Sequence, residues 1–326
     1  MKLSDVGERA LIKIAREVCR QGSKIRIGIG DDAAAIDIGD MCLVATTDML
    51  VVKSHFPRGI APEQMGRKAV VANLSDLAAM GAEPLGLLFS VALPRTLEVS
   101  FVKRLVKSMD TTARMYGASI VGGDLDESDG VIISGAAFGL ARKREILRRS
   151  GARNGDLLAV TGKLGAAPAG LKIILEKLPA TGYRKLIRTH LEPTARVREG
   201  KILARSGSVT AAIDLSDGLA ANLWQLARES GVKIIIDRNK IPEDPLVKKL
   251  VTQYDLNIDD FVLFGGEDFE LIFTIRPHGW EKVRRALERV GTAATIIGRV
   301  VKGNGVFIQA EEKTRRLPDR GYEHFR

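Results

Sequence analysis

The chain has 326 residues, with 50 Lys and Arg against 40 Asp and Glu, giving a formal charge of +10. That length suits about two ordinary domains, each large enough to bury its own core. With 45% hydrophobic residues and two cysteines, the composition excludes a disulfide scaffold, a collagen-like chain and a wholly disordered one.

Apolar residues Val6, Ala10, Ile14 and Val18 recur every four positions and predict a first helix. A glycine-rich turn follows at Gly28-Ile29-Gly30-Asp31-Asp32, then a strand over Cys42–Thr47. Pro62 suits the first turn of a helix running to Met80, and Gly81 ends it. Leu85–Leu93 has the pattern of a buried strand, and Phe101–Tyr116 that of a helix closed by Gly117. Ala118–Val121 and Val131–Leu140 read as further strands.

Residues 142–156 are polar and basic, and the alternation restarts after them. Strands are predicted at Leu157–Thr161, Val209–Ile213, Val232–Asp237, Phe269–Ile275 and Ala293–Val300. Helices are predicted at Ala167–Leu178, Leu219–Ser230 and Trp280–Val290. The expectation is an α/β (α+β) chain of two domains, residues 1–145 and residues 146–326.

The cation surplus points to an anionic partner without saying which. Aromatics are 5% of residues and do not interleave with the basic side chains, so a nucleic-acid groove is disfavoured. No window approaches the roughly 20 apolar residues of a membrane span, and residues 1–30 carry no secretory pattern. A cytoplasmic location is expected from the scarcity of cysteine.

The acidic residues carry more information. They recur among glycines and small residues: Gly30-Asp31-Asp32, Thr46-Thr47-Asp48, Ser75-Asp76, Gly122-Gly123-Asp124, Asp214-Leu215-Ser216-Asp217-Gly218 and Gly265-Gly266-Glu267-Asp268. Most follow a predicted strand, and strand ends are where α/β folds place ligands. Carboxylates gathered there repel one another unless a hard cation neutralises them, and Asp and Thr oxygens suit Mg²⁺ with a phosphate ligand. Asp76 stands out, because it interrupts a small-residue helix where a charge needs a partner or a metal.

Other nucleotide motifs fail. Gly162-Lys163 is followed by Leu164, which breaks a Walker loop. Gly28-x-Gly30-x-x-Ala33 carries Asp31 and Asp32 where a dinucleotide pyrophosphate would approach. Glu267-Asp268-Phe269-Glu270 lacks the glycine of a protein-kinase metal motif.

Together, in this order and with Arg149-Ser150-Gly151-Ala152, these motifs resemble the thiamine-monophosphate kinases, relatives of aminoimidazole ribonucleotide synthetase. The resemblance runs to the terminal Gly321-Tyr322-Glu323-His324-Phe325. It implies that the N-terminal unit binds ATP and Mg²⁺ and that its sheet pairs with a second copy's into a barrel across a homodimer. It implies direct Mg-assisted in-line transfer of a phosphoryl group from ATP to thiamine monophosphate, the last step to thiamine diphosphate.

By position, Asp32, Thr46, Thr47, Asp48, Asp76, Asp124, Asp214 and Asp217 would hold several Mg²⁺ ions. Tyr116, Gly123, Asp124, Arg149 and Ser216 would meet ATP. His55, Glu267 and an aromatic of the tail, Tyr322 or Phe325, would meet thiamine monophosphate. Asp31 reads as the partner of Asp32. No catalytic base is expected, because the attacking phosphate oxygen is already an anion. The alternatives are another ATP-dependent relative, such as aminoimidazole ribonucleotide synthetase, or a basic non-catalytic protein that binds phosphate or nucleic acid. Related enzymes with a reactive cysteine near either terminus are disfavoured, since the two cysteines are Cys19 and Cys42.

Overall fold

The computed structural model describes residues 2–311 and 313–325, with Ser4 described by its backbone alone. The chain opens with α1 (Leu3–Val6) and the amphipathic α2 (Glu8–Val18). Then come β1 (Ile25–Ile27), β2 (Ala34–Ile38), β3 (Met41–Val51), α3 (Val52–His55), α4 (Pro62–Ala79) and β4 (Glu83–Leu93). α5 (Val99–Met115), β5 (Ser119–Glu127) and β6 (Ile132–Arg142) complete the first half. The six strands form one sheet in the order β1-β2-β3-β6-β4-β5. β4 and β5 are parallel, as their crossover through α5 requires, and the other neighbours are antiparallel.

The second half holds β7 (Leu157–Thr161), α6 (Ala166–Leu175), α7 (Arg184–Leu191), α8 (Val197–Arg205), β8 (Val209–Asp214), α9 (Leu219–Ser230) and β9 (Lys233–Asp237). It continues with α10 (Pro245–Tyr254), α11 (Asp259–Val262), β10 (Leu271–Ile275), α12 (Trp280–Arg289), β11 (Ala294–Val301), β12 (Gly305–Ala310) and β13 (Lys313–Arg316). Its sheet runs β13-β12-β9-β11-β7-β10-β8, with β9 and β12 parallel.

α4 is the hinge of the architecture. Pro62 occupies its first turn and Gly81 follows its end, as expected from the sequence. From Lys68 to Met80 every residue is buried except Asp76. One face of the helix lies on β3 and β6, and another meets α8 and β8 of the second half. Leu74 and Leu77 therefore share one apolar cluster with Leu271 and Phe273. α8 comes so close that a Cβ on Gly200 would stand 2.0 Å from the Ala78 carbonyl oxygen.

The opposite face of the first sheet is uncovered, with Met49 58%, Val121 56% and Leu125 71% exposed. Leu85–Leu93 is thus buried on one face and open on the other, where Leu85 and Leu88 show. Two motifs expected at strand ends lie inside strands instead. Thr46-Thr47-Asp48 sits within β3, and Gly122-Gly123-Asp124 within β5. At Gly123 the glycine serves close packing, since a Cβ would fall 1.9 Å from the Phe89 carbonyl oxygen. Among the described residues no helix is long and apolar enough to cross a membrane.

Candidate active site

A cleft of about 2120 Å³ opens between the two halves, lined by residues of α2, β3, α4, α6, α9 and the C-terminal tail. Its floor is acidic. Asp32 comes from the loop before β2, Asp76 from α4 and Asp214 from the end of β8, and one carboxylate oxygen of each lies within 4.8 Å of the others. Asp76 reaches the cleft because the stripe Met65, Lys68, Ala72 and Asp76, spaced at helical intervals, is the part of α4 that faces it.

Hydroxyls and one guanidinium hold these carboxylates. Thr46 donates to Asp76 Oδ2 at 2.5 Å, and Ser75 to Asp214 Oδ2 at 2.6 Å. Ser216 donates to Asp214 Oδ1 at 3.3 Å. Arg149 donates to Asp32 Oδ1 through Nη2 at 2.8 Å and Nε at 3.2 Å, and its backbone N–H donates to Asp31. Asp32 Oδ2 is buried with no hydrogen-bond partner among the described residues.

The electrostatics follow from this crowding. Burial, then the charges of Asp48, Asp214 and Asp32, push the Asp76 carboxyl well above its ordinary range. Burial and Asp32 raise Asp214 to about 7 and Asp31 to about 6. Asp217 is raised to about 6, chiefly by burial and then by Glu8. Burial outweighs Arg149 at Asp32, which is also raised. Burial and Glu8 raise Asp48 as well. Such a set stays fully ionised at neutral pH when a cation joins it. Carboxylates and hydroxyls, all hard oxygen donors, with one buried carboxylate oxygen of Asp32 left without a partner among the described residues, fit Mg²⁺.

The other end of the cleft is built differently. Lys68, 1% exposed, donates from Nζ to Glu267 Oε2 at 2.8 Å and to the His55 carbonyl at 3.0 Å. Val51 N–H donates to His55 Nδ1, so the His55 proton sits on Nε2. Glu267 has φ +67, an uncommon conformation for this residue type. Its loop is tied to the Asp214 loop by Glu267 N–H to Ser216 O and Phe269 N–H to Leu215 O. The tail returns over the same loop, with Tyr322 N–H on the Asp217 carbonyl. Tyr322 and His324 bring their rings 6.5 and 5.5 Å from that of His55.

Of the residues singled out from sequence, Asp32, Thr46, Thr47, Asp48, Asp76, Arg149, Asp214, Ser216, Asp217, His55, Glu267 and Tyr322 line this cleft. Tyr116, Gly123, Asp124 and Phe325 do not. The Tyr116 hydroxyl instead accepts the Ala195 N–H. Asp124 is exposed on β5, three strands from β3, or about 14 Å at the usual strand spacing. Phe325 contacts the His324 ring outside the cleft. Sequence reading passed over Lys68, His190 and His324. Lys68 had a weak signal, a cation at the start of the apolar stretch of α4 two turns before Asp76, whereas His190 lies in an ordinary amphipathic helix and had none.

Residues 30–141 match the N-terminal domain, and residues 153–311 the C-terminal domain, of the AIR synthase related proteins. A thiamine-monophosphate kinase of Pyrococcus horikoshii is 39% identical over 300 residues, 91% of each chain. One of Aquifex aeolicus is 36% identical over the full length of both. Among solved structures, AaThiL complexed with AMPPCP and TMP superposes with a TM-score of 0.89 at 35% identity, covering 99% of each chain. With both halves matched and full-length relatives this similar, the chain belongs to the thiamine-monophosphate kinase family, within the AIR synthase related proteins.

Proposed function

We propose that this enzyme transfers the γ-phosphoryl group of ATP to the phosphate of thiamine monophosphate, releasing ADP and thiamine diphosphate. The observation that carries the reading is one cleft with two chemically distinct ends: the Asp32, Asp76 and Asp214 cluster with Arg149, and the Glu267 end beside His55. Family membership and a close relative complexed with AMPPCP and TMP support the same pairing of nucleotide and acceptor.

Asp32, Asp76 and Asp214 would hold Mg²⁺, with Thr46, Thr47, Asp48 and Asp217 around them. When bound, Mg²⁺ neutralises phosphate charge and lets two polyanions meet in line. The protein's own part is positioning. Thr46 fixes Asp76 by donating to one of its oxygens, and Ser75 and Ser216 fix Asp214 by donating one to each of its oxygens. Arg149, held at the cluster by Asp31 and Asp32, offers the fixed positive charge for a phosphate. His55 and Glu267 orient the acceptor, and Tyr322 covers it from the tail. No side chain has to take a proton, because the attacking oxygen is already anionic.

The uncovered face of the first sheet, with Met49, Val121 and Leu125 exposed, supports a homodimer joined through that face. Gly123 and Asp124, on β5, would then lie near the junction of the copies, where nucleotide bound there would meet them. The division at residues 145–146 follows the change of sheet between β6 and β7. A cytoplasmic location is supported by two free thiols, Cys19 and Cys42.

The test is incubation with ATP and Mg²⁺, with and without thiamine monophosphate, following thiamine diphosphate and ADP together. Equal formation of both products is expected. ADP release that ignores thiamine monophosphate but responds to formylglycinamidine ribonucleotide would favour the synthetase activity instead. Light scattering at micromolar protein tests the dimer, and a monomeric mass refutes it.

A further inference from the structure

Two turns of α4, about 12 Å, separate Lys68 from Asp76. A ligand with a phosphate at one end and a ring at the other can therefore reach both ends of the cleft. Phe56, Met65 and Leu171 are among the walls of the cleft, which are apolar beside its polar groups. Next to His55, three more polar groups meet: Glu267, Lys68 and His190.

His190 is the unexplained member. It stands in the last turn of α7, its side chain is 2% exposed, and it lines the cleft. Nδ1 lies 3.3 Å from Glu267 Oε2 without the alignment of a hydrogen bond, and among the described residues neither ring nitrogen has a hydrogen-bond partner. Native proteins rarely leave a buried polar group unpaired, and a core histidine normally spends at least one nitrogen on a carbonyl or hydroxyl. Burial, reinforced by the Lys68 charge, lowers this imidazole to about 4. At neutral pH it is uncharged and offers one N–H donor and one acceptor. Lys68 spends its hydrogen bonds on Glu267 Oε2 and the His55 carbonyl, which leaves Glu267 Oε1 for a ligand.

The aminopyrimidine of thiamine presents a ring nitrogen that accepts and an exocyclic amine that donates. We infer that His190 is a specificity-determining residue that donates its ring N–H to a pyrimidine nitrogen, while Glu267 accepts from the exocyclic amine. Lys68 is a positioning residue, acting through the carboxylate it grips. This deepens the functional reading above and rests on thiamine monophosphate being the acceptor.

The experiment compares thiamine monophosphate with two analogues, each having one pyrimidine ring nitrogen replaced by C–H. kcat/KM is measured with ATP for the wild type, H190L and H190Q. A site built to hydrogen-bond its substrate rejects the analogue lacking that group, so wild type is expected to disfavour one analogue about tenfold or more. In H190L the two substrates should become equal within about twofold, since the donor that told them apart is gone. For Lys68, K68M should lower kcat/KM and K68R should restore part of it.

A wild type that accepts both analogues as well as thiamine monophosphate overturns the assignment without needing any variant to fold. So does a folded H190L that keeps the full wild-type preference, whereas H190Q, whose amide retains an N–H donor, should keep part of it. A wild type that does not phosphorylate thiamine monophosphate at all is a different failure, which refutes the proposed function and this inference with it.

Discussion

Arg149 grips Oδ1 of Asp32 with two N–H groups and leaves Oδ2 of the same carboxylate buried and unpaired. The pair joins the loop before β2 to the loop before β7, and thus the two halves across the acidic floor of the cleft. Burial alone would have driven Asp32 to its neutral form, and the guanidinium opposes that. The geometry makes Arg149 the resident counter-ion of the acidic cluster.

Removing that counter-ion should therefore matter most when no metal is present. R149M leaves the Asp32 charge unpaired on a fully buried side chain, a change that costs about 3 kcal/mol at comparable sites. Urea unfolding in chelator should show a loss of that order, and millimolar Mg²⁺ should recover much of it. An equal loss with and without Mg²⁺ would mean that the ion does not bind at Asp32.

Asp76 makes the opposite prediction for stability. It is crowded by Asp48, Asp214 and Asp32, so Asp76→Asn removes repulsion and keeps the shape. The metal-free variant should be more stable than wild type by about 1 kcal/mol, the equivalent of nearly one pKa unit of relieved interaction. Turnover should fall by about 10²–10³-fold or more, as when an enzyme loses a group that stabilises developing charge. Calorimetry in chelator, alongside the thiamine diphosphate assay, reads both. A variant that is less stable and still active would contradict the metal assignment.

The pH dependence of the metal-free protein follows from the same crowding. Asp31 and Asp217 at about 6, and Asp214 at about 7, lie above their ordinary value near 4. Between those limits the folded protein binds more protons than the unfolded chain, so stability falls as pH rises. The melting temperature in chelator should drop from pH 5 to pH 8, most steeply between about 5 and 6.5, and level off above 7. Saturating Mg²⁺ should flatten the profile by supplying the positive charge that protons supply at low pH. A profile rising with pH in chelator would reverse the sign and refute the account.

Much of this site was legible because its chemistry is local. Asp76 in a small-residue helix, and Asp214 and Asp217 just after a strand, carry their meaning in neighbouring residues. That Gly122-Gly123-Asp124 lies inside β5 was not legible for a physical reason: glycine marks a turn or a close backbone approach, and only the position of Phe89 on the next strand decides between them. His190 could not be found at all. Its importance comes from being unpaired beside Lys68 and Glu267, which are far from it in the chain. Helices α7 and α8 and the edge strands β1 and β13 were among the elements that also went unpredicted, being only 8, 9, 3 and 4 residues long. Helix α4 was legible nearly to the residue because proline and glycine bracket it.

That helix also supplies a test of how the two halves are coupled. Gly200 lies in α8 where it crosses α4, and a Cβ there would stand 2.0 Å from the Ala78 carbonyl oxygen. Gly to Ala in a helix is ordinarily worth up to about 1 kcal/mol in its favour, so propensity alone predicts that G200A stabilises. The contact overrides that gain, because the obstacle is backbone inside a packed core and cannot rotate away. Overpacking of this kind costs about 1–3 kcal/mol, and more where backbones must separate. G200A should therefore lower the unfolding midpoint. It should also reduce turnover, because Ala78 is two residues from Asp76, and moving α4 away from α8 displaces that carboxylate from Asp214. A variant with wild-type stability would mean that α4 and α8 have room to shift. One that is destabilised yet fully active would mean that the carboxylate floor does not depend on that crossing.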